Sequence, residues 1–220
     1  MTDADKKSLN IPSREEWLQA LTERHGAERQ KAFTDAAVAV CGLGGLGSNI
    51  SIALTRAGIG RLILIDFDKV DITNLHRQQY KASQIGMYKT EALAGNLREI
   101  SPYTELITHT VKLDEDNMHE ILKDADIICE AFDKADMKAM LVNYVLENFP
   151  DKYILSGSGM AGFGSANTIQ TKHVTKRLYI SGDGVSDVND GIGLVSARVM
   201  ACAAHEAHMV LRILLGETEP

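Results

Sequence analysis

The segment of the chain best suited to chemistry is a glycine-rich turn between two apolar runs. Gly42, Gly44 and Gly47 match the pattern G-x-G-x-x-G, and Gly45 adds a fourth glycine. Backbone N–H groups in such a turn can approach a phosphate because no side chain blocks them, and the following helix directs its positive dipole end at the anion. Asp66 follows Gly47 by 19 residues, a spacing typical of an acid that binds a ribose hydroxyl. Alone, this pattern fits NAD, FAD or ATP.

Polar residues of types that suit phosphate chemistry follow the second apolar run. A long polar insert, residues 66–79, includes Asn74 and Arg77, and Lys89 and Asp133 come later. Arg presents a planar fork to two phosphate oxygens and Lys a point charge, whereas Mg²⁺ takes few carboxylates because phosphates and water complete its shell. These residue types are suited to neutralising charge on a bound phosphate.

The spacing of these residues resembles the ThiF/MoeB/HesA family, which is related to the ubiquitin-activating enzymes. The shared pattern is D-x-D-x-V-x-x-x-N-L-x-R-Q, then G-x-x-K, then D-I-I-x-x-x-x-D. It is matched by Asp66, Asp68, Val70, Asn74, Leu75, Arg77, Gln78, Gly86, Lys89 and Asp133. The resemblance runs from about residue 20 to the C terminus, and the paired motifs are far more specific than the glycine turn alone.

The resemblance implies an adenylyltransferase that uses ATP and Mg²⁺ to activate the C-terminal glycine carboxylate of a ubiquitin-like sulfur carrier, with release of pyrophosphate. It implies a nucleotide site with these members: Gly42, Gly44, Gly45 and Gly47 along the nucleotide, Asp66 at the ribose, Asn74, Arg77 and Lys89 at the phosphates, and Asp133 at Mg²⁺. Asp68 belongs to the same motif and either contacts the nucleotide or stabilises the loop. Asp133 has a second interpretation as the N-cap of the next helix.

The chain resembles, more narrowly, a compact ThiF-like subgroup of thiamine biosynthesis whose carrier is ThiS. This resemblance rests on the short length and on residues 83–93 and 203–208. The resemblance also implies that an N-terminal arginine reaches the partner's site in a homodimer. Arg24 is the preferred candidate, and Arg14 and Arg29 are the alternatives.

The cysteines set this chain apart from larger members of the family. Those members carry two CxxC pairs that bind zinc, whereas Cys41, Cys129 and Cys202 are scattered, so no zinc is expected. The loop before the last helix, residues 181–193, contains no cysteine for a covalent thioester or persulfide step. We expect all three cysteines to be buried small apolar residues. The same loop is a candidate cover for the carrier tail, and the glycines in residues 157–164 either leave room for a slim Gly-Gly tail or form tight turns.

Composition limits the choice of partner and compartment. The 220 residues carry a net charge of -7, which argues against nucleic acid as the main partner. No apolar run suits a signal peptide or a membrane span, so no membrane partner and a cytoplasmic location are expected. Three alternatives stay open at this point: an NAD-dependent oxidoreductase, a related ATP-dependent enzyme acting on modified tRNA, and a non-catalytic subunit that binds a carrier.

Alternating apolar runs and helical patterns predict the elements that must position these residues. Strands are predicted at 37–41, 61–65, 104–111, 126–131, 153–157, 166–171 and 176–181. Helices are predicted at 14–33 with a break near Gly26, then at 45–57, 88–99, 115–123, 135–148 and 194–215. Repeated βαβ units indicate a doubly wound, mostly parallel, Rossmann-like α/β fold. We divide the chain into an N-terminal helical segment, 1–34, and a ThiF-like ATP-binding adenylation domain, 35–220.

Overall fold

The structure, a computed structural model, describes residues 11–191 and 193–220. Seven α-helices lie in this part of the chain: α1 Arg14–His25, α2 Ala27–Asp35, α3 Gly45–Ala57, α4 Lys89–Ile100, α5 Met118–Leu122, α6 Ala135–Asn148 and α7 Ser196–Leu214. The strands are β1 Ala37–Cys41, β2 Arg61–Ile65, β3 Glu105–His109, β4 Ile127–Glu130, β5 Tyr153–Gly157, β6 Gln170–Thr175 and β7 Leu178–Gly182. Within these residues no helix is long and apolar enough to cross a bilayer.

The seven strands form one sheet in the order β3-β2-β1-β4-β5-β7-β6. All neighbouring pairs are parallel except β6 and β7, which are antiparallel. The chain leaves β1 in one direction towards β2 and returns on its other side as β4. The loop after β1 and the loop after β4 therefore run to opposite sides of the sheet. They leave a crevice between them at the carboxyl edge, where ligands bind in such folds. The predicted doubly wound fold is confirmed.

Side chains alternate between two apolar layers along each central strand. Val38, Val40, Leu62 and Leu64 face the layer that contains α3, α4 and α7. Their neighbours Ala39, Cys41, Ile63 and Ile65 face the layer that contains α5 and α6. Both faces of β1 and β2 are buried, which explains their continuous apolar sequences.

Two helices precede the sheet, as the sequence predicted. Ser13 and Glu16 form a reciprocal capping box at the start of α1, and the chain breaks at Gly26, whose φ is 86°. In α2, Phe33 reaches the main core, and Leu21 of α1 packs against Gly58. The division of the chain at residues 34 and 35 stays a prediction.

One predicted strand is misplaced. Residues 166–171 were predicted as a strand, but Ala166–Thr168 forms a 3-10 turn and β6 runs from Gln170 to Thr175. β6 is the edge strand, and most of its side chains are exposed, so it lacks the apolar alternation that marks a half-buried strand.

Candidate nucleotide-binding site

The glycine turn joins β1 to α3 at the carboxyl edge of the sheet. Gly42 has a φ of 90°, and a Cβ at this position would lie 2.8 Å from the carbonyl oxygen of Ala131. A Cβ at Gly47 would lie only 1.8 Å from the carbonyl oxygen of Gly42. These two glycines are thus required by close backbone packing.

The start of α3 leaves backbone amides open. Gly44 is the N-cap of α3, and no side chain in the described part of the protein caps it. A Cβ at Gly44 would have Nε2 of Gln78, at 3.7 Å, as its nearest neighbour, so the space above the turn is open. Uncapped amides and the helix dipole together suit an anion such as a phosphate.

Arg77 lies beside the first residue of α3. Its Cγ and Cδ atoms are 3.6 Å from the Cβ that a substitution at Gly45 would add. The side chain is half-buried, and its Nε is buried without a hydrogen-bond partner among the described residues. Burial lowers the pKa of Arg77, and the nearby charge of Asp133 opposes this shift. Asp133 itself is exposed and within electrostatic range of the guanidinium.

Asp66 directly follows β2 and is buried beneath the turn. Its Oδ2 accepts a hydrogen bond from the backbone N–H of Leu43 at 2.6 Å, and its Oδ1 accepts one from the N–H of Asp68 at 2.7 Å. Burial raises the pKa of Asp66, while the charge of Lys89 acts in the opposite direction. Lys89 Nζ donates to Oδ2 of Asp68 at 2.8 Å and lies 3.9 Å from Oδ2 of Asp66.

The polar insert is fastened to the turn by backbone contacts. Asn74 ends the short 3-10 helix Ile72–Asn74 and is half-buried, and its carbonyl accepts the N–H of Arg77 at 3.2 Å. Asn49 on α3 donates to the carbonyls of Gly45 and Arg77, at 2.7 and 3.3 Å. Tyr80 donates to the carbonyl of Leu43 at 2.7 Å. These contacts hold the insert over the glycine turn.

Arg24 does not join this group within one chain. It is exposed on α1, and that helix lines a groove of about 520 Å³ with the amino ends of β1, β2 and β3. The glycine turn is at the opposite, carboxyl edge. Of the rival residues, Arg14 lines the groove, and Arg29 is exposed and donates to the carbonyl of His25 at 3.2 Å. A role for Arg24 across a dimer stays a prediction.

The structure thus brings together nearly all of the predicted nucleotide residues: Gly42, Gly44, Gly45, Gly47, Asp66, Asp68, Asn74, Arg77, Lys89 and Asp133. The ThiF family profile matches residues 18–220. The chain belongs to the ThiF family.

Two curated relatives of this ThiF-family chain illustrate its sequence similarity. Adenylyltransferase and sulfurtransferase MOCS3 of Caenorhabditis briggsae is 35% identical over 144 residues, which are 64% of this chain and 35% of that protein. Ubiquitin-like modifier-activating enzyme 5 of Drosophila ananassae is 41% identical over 96 residues, or 44% of this chain and 24% of that protein. The chain therefore matches about a third or less of the length of these curated relatives.

A solved structure shares the fold over almost the whole chain. The E. coli tRNA N6-threonylcarbamoyladenosine dehydratase TcdA, in complex with ATP, has a TM-score of 0.83 and 21% identity, covering 98% of this chain and 97% of that one. At this identity the likeness shows the ThiF-type fold.

The interpretation of Asp133 as a helix N-cap is wrong. The N-cap of α6 is Lys134, and no side chain among the described residues caps this helix. The carboxylate of Asp133 therefore does not cap this helix. The prediction for the cysteines is confirmed, because Cys41, Cys129 and Cys202 are all buried.

Two features of this ThiF domain were missed from the sequence. Arg198 on α7 is buried, donates to the carbonyls of Gly164 and Ser165 at 2.6 Å each, and pairs with Asp183. Arg198 thereby holds the glycine-rich loop, residues 157–165, and the loop after β7 together. The second feature is a cluster of charged residues, in which buried Glu130 pairs with half-buried Lys138 and buried Glu206 lies within electrostatic range of both. A charged residue in a helical pattern normally indicates a solvated face, so the sequence carries no signal for either.

Proposed function

We propose that this chain is an ATP-dependent adenylyltransferase that activates the C-terminal glycine carboxylate of a ubiquitin-like sulfur carrier of the ThiS type, in thiamine biosynthesis. The observation that carries the proposal is the half-buried Arg77 guanidinium at the uncapped start of α3, with the Asp133 carboxylate in electrostatic range. One relative is named as an adenylyltransferase and another as a ubiquitin-like modifier-activating enzyme, and both names support the proposal.

The site fits a nucleoside triphosphate. A phosphate over the amides of the glycine turn would meet Arg77 on one side, and Arg77 Nε still lacks a partner among the described residues. Lys89 adds a second cation, close to Asp66 at the expected ribose position. Asp133 is an exposed carboxylate, and Mg²⁺ needs only one or two of these when phosphates supply its other ligands. When bound, Mg²⁺ would neutralise charge on the phosphate oxygens.

The chemistry follows from charge. The carrier's terminal carboxylate attacks the α-phosphorus, a P–O bond forms, and the bond to the departing pyrophosphate breaks to leave an acyl adenylate. Arg77 and Lys89 would balance the negative charge of the two reactants and of pyrophosphate. The glycine-rich loop and the loop after β7, held by Arg198 and Asp183, lie beside the insert because His76 contacts the carbonyl of Leu194 at 3.2 Å. We propose that they cover the carrier tail.

An NAD-dependent oxidoreductase is the weaker interpretation, because a simple dinucleotide domain has no need for the long polar insert with Asn74 and Arg77 or for Lys89. An enzyme acting on modified tRNA is the second candidate. It is favoured by the nearly complete overlap with TcdA and disfavoured by the net charge of -7. We further propose a cytoplasmic homodimer in which Arg24 reaches the partner's site.

Carrier-dependent exchange between ATP and labelled pyrophosphate tests the proposal. We expect exchange with Mg²⁺ and a ThiS-like carrier, none with a carrier that lacks its terminal glycine, and a loss of about 100-fold or more in Arg77→Ala and Asp133→Ala. Arg56→Ala, an exposed arginine on α3, is the matched control. Full exchange in both site variants would contradict the site, and AMP formation that depends on tRNA instead of the carrier would favour the second candidate.

A further inference from the structure

Glu130, the last residue of β4, is buried and has hydrogen bonds on both of its carboxylate oxygens. Oε1 accepts from the N–H of Phe132 at 2.7 Å and from Lys138 Nζ at 3.1 Å. Oε2 accepts from Lys138 Nζ at 2.9 Å and from the hydroxyl of Ser156. These hydrogen bonds satisfy the carboxylate and hold it in place although its side chain has no exposure to solvent.

Lys138 connects three elements through the same ammonium group. It lies on α6, pairs with Glu130 on β4, and donates to the carbonyl of Gly157 at the end of β5, at 3.0 Å. Its own backbone N–H bonds the carbonyl of Lys134, the N-cap of α6. The start of α6 is thereby tied to the carboxyl edge of the sheet.

The loop of residues 131–134, which carries Asp133, lies between these two anchors. Glu130 binds the amide of Phe132 on the entry side, and Lys138 holds the start of α6 on the exit side. The loop also abuts the glycine turn, since a Cβ at Gly42 would lie 2.8 Å from the carbonyl oxygen of Ala131. One ion pair therefore fixes both ends of the loop against the glycine turn.

A buried ion pair is an expensive way to gain stability, because the loss of hydration offsets most of the attraction between the charges. Its clearest effect here is geometric. We propose that Glu130 and Lys138 are positioning residues that hold the loop of residues 131–134 so that Asp133 faces the phosphates over the glycine turn. This inference rests on the proposed function, because it assumes a Mg²⁺–nucleotide complex at Asp133.

The first measurement needs no ligand. We expect amide hydrogen exchange in residues 131–134 to accelerate by about tenfold or more in Glu130→Gln and in Lys138→Gln, because opening of the loop is no longer opposed by the ion pair. Lys123→Gln, which removes an exposed ion pair with Glu120, is the control and should leave this exchange unchanged. Unchanged exchange in both folded site variants would overturn the proposal.

The second measurement is calorimetric binding of the α,β-methylene analogue of ATP, with and without Mg²⁺. We expect Glu130→Gln to weaken the binding with Mg²⁺ by about 10- to 100-fold, as for other groups that orient a metal ligand, and to change metal-free binding little. In an Asp133→Asn background the same substitution should have no further effect. Equal weakening with and without the metal would overturn the positioning role.

The two proposals fail in different ways. If the wild type binds no nucleotide, both are wrong. If the wild type binds with Mg²⁺ and Asp133→Asn removes the metal dependence, but Glu130→Gln and Lys138→Gln retain it, only the positioning role is wrong. If Glu130→Gln does not fold, Ser156→Ala, which removes one hydrogen bond from Glu130, should show the same effects at smaller size.

Discussion

The ammonium group of Lys89 lies 2.8 Å from the carboxylate of Asp68. Lys89 is buried and is the first residue of α4, where the helix dipole disfavours a cation. The ion pair with Asp68 offsets this unfavourable location. Asp66 lies 3.9 Å from the same ammonium group, and a phosphate at the mouth of the glycine turn would supply a further anion.

We expect Lys89→Met to weaken ATP binding by about 10-fold or more, since a charge-assisted contact to phosphate is lost. Lys69→Met, at an exposed lysine in the same insert, should leave the affinity within about threefold because an exposed charge interacts weakly. Calorimetric titration of both variants with ATP measures the difference. Equal ATP affinities of the Lys89→Met and Lys69→Met proteins would show that Lys89 does not contact the nucleotide.

The glycine turn gives a prediction about stability. Gly47→Ala should lower the free energy of unfolding by about 3 kcal/mol or more, because its Cβ would lie 1.8 Å from the carbonyl oxygen of Gly42. Gly95→Ala in α4 is the matched control, since none of the described atoms lies within 4 Å of its added Cβ. It should raise stability by up to about 1 kcal/mol, as expected for Ala in a helix. Urea denaturation of both variants measures these changes, provided that the fitted m-values are equal. A Gly47→Ala protein with wild-type stability would refute the packing argument.

Glu206 on α7 predicts a dependence of stability on pH. It is fully buried, and neither carboxylate oxygen has a hydrogen-bond partner among the described residues. Burial raises its pKa from 4.5 to about 8, while Lys138 lowers it and Glu130 raises it. Between these two values the folded protein holds a proton that the unfolded chain has released. Stability should therefore fall as pH rises from about 4.5 to about 8, and this contribution should level off outside that window.

Glu206→Gln tests this assignment because the amide cannot ionise. The difference in the free energy of unfolding between pH 5 and pH 8 should shrink by about 1–3 kcal/mol relative to the wild type. Glu147→Gln on the surface of α6 is the control and should keep the wild-type difference. Denaturant titrations of the three proteins at both pH values give the answer, and identical pH slopes for all three would be incompatible with a buried neutral Glu206.

A mixing experiment addresses Arg24. If Arg24 acts across a homodimer, Arg24→Ala and Arg77→Ala should each be inactive alone, yet an exchanged equal mixture should recover about a quarter of the wild-type activity. Half of the dimers would then contain both variants, and each of these would have one intact site. The pyrophosphate exchange assay measures the recovered activity. The control is a second mixture, in which Arg14→Ala takes the place of Arg24→Ala. A mixture as inactive as its components would show that Arg24 does not act in trans.

Much of the fold could be predicted because the central strands are apolar on both faces. The predicted bounds of β1, β2, β5 and α6 agree with the structure, whereas β6 was displaced because an exposed edge strand carries little pattern. The candidate nucleotide residues were implied by the resemblance of their motifs to the ThiF family, and the sheet brings them to one edge.

The buried charges could not be predicted in the same way. Glu130 stands in an apolar strand, and Glu206 stands among alanines and histidines in a helix, with no local sign that either is buried. Their environment comes from elements far apart in the chain. Ser156 on β5 reaches Glu130 because β4 and β5 lie side by side, and single-sequence patterns do not report such contacts.

The adjacency of β1 and β4 has a consequence for how the protein acquires its binding capacity. Cys41 is the register partner of Glu130, so the glycine turn and the loop with Asp133 meet only after two distant parts of the chain have paired. Closing so long a chain segment is an entropic cost that local structure cannot reduce. The proposed nucleotide binding should therefore arise late in folding and disappear early in unfolding, so that a loss of ligand affinity would report the separation of β1 from β4.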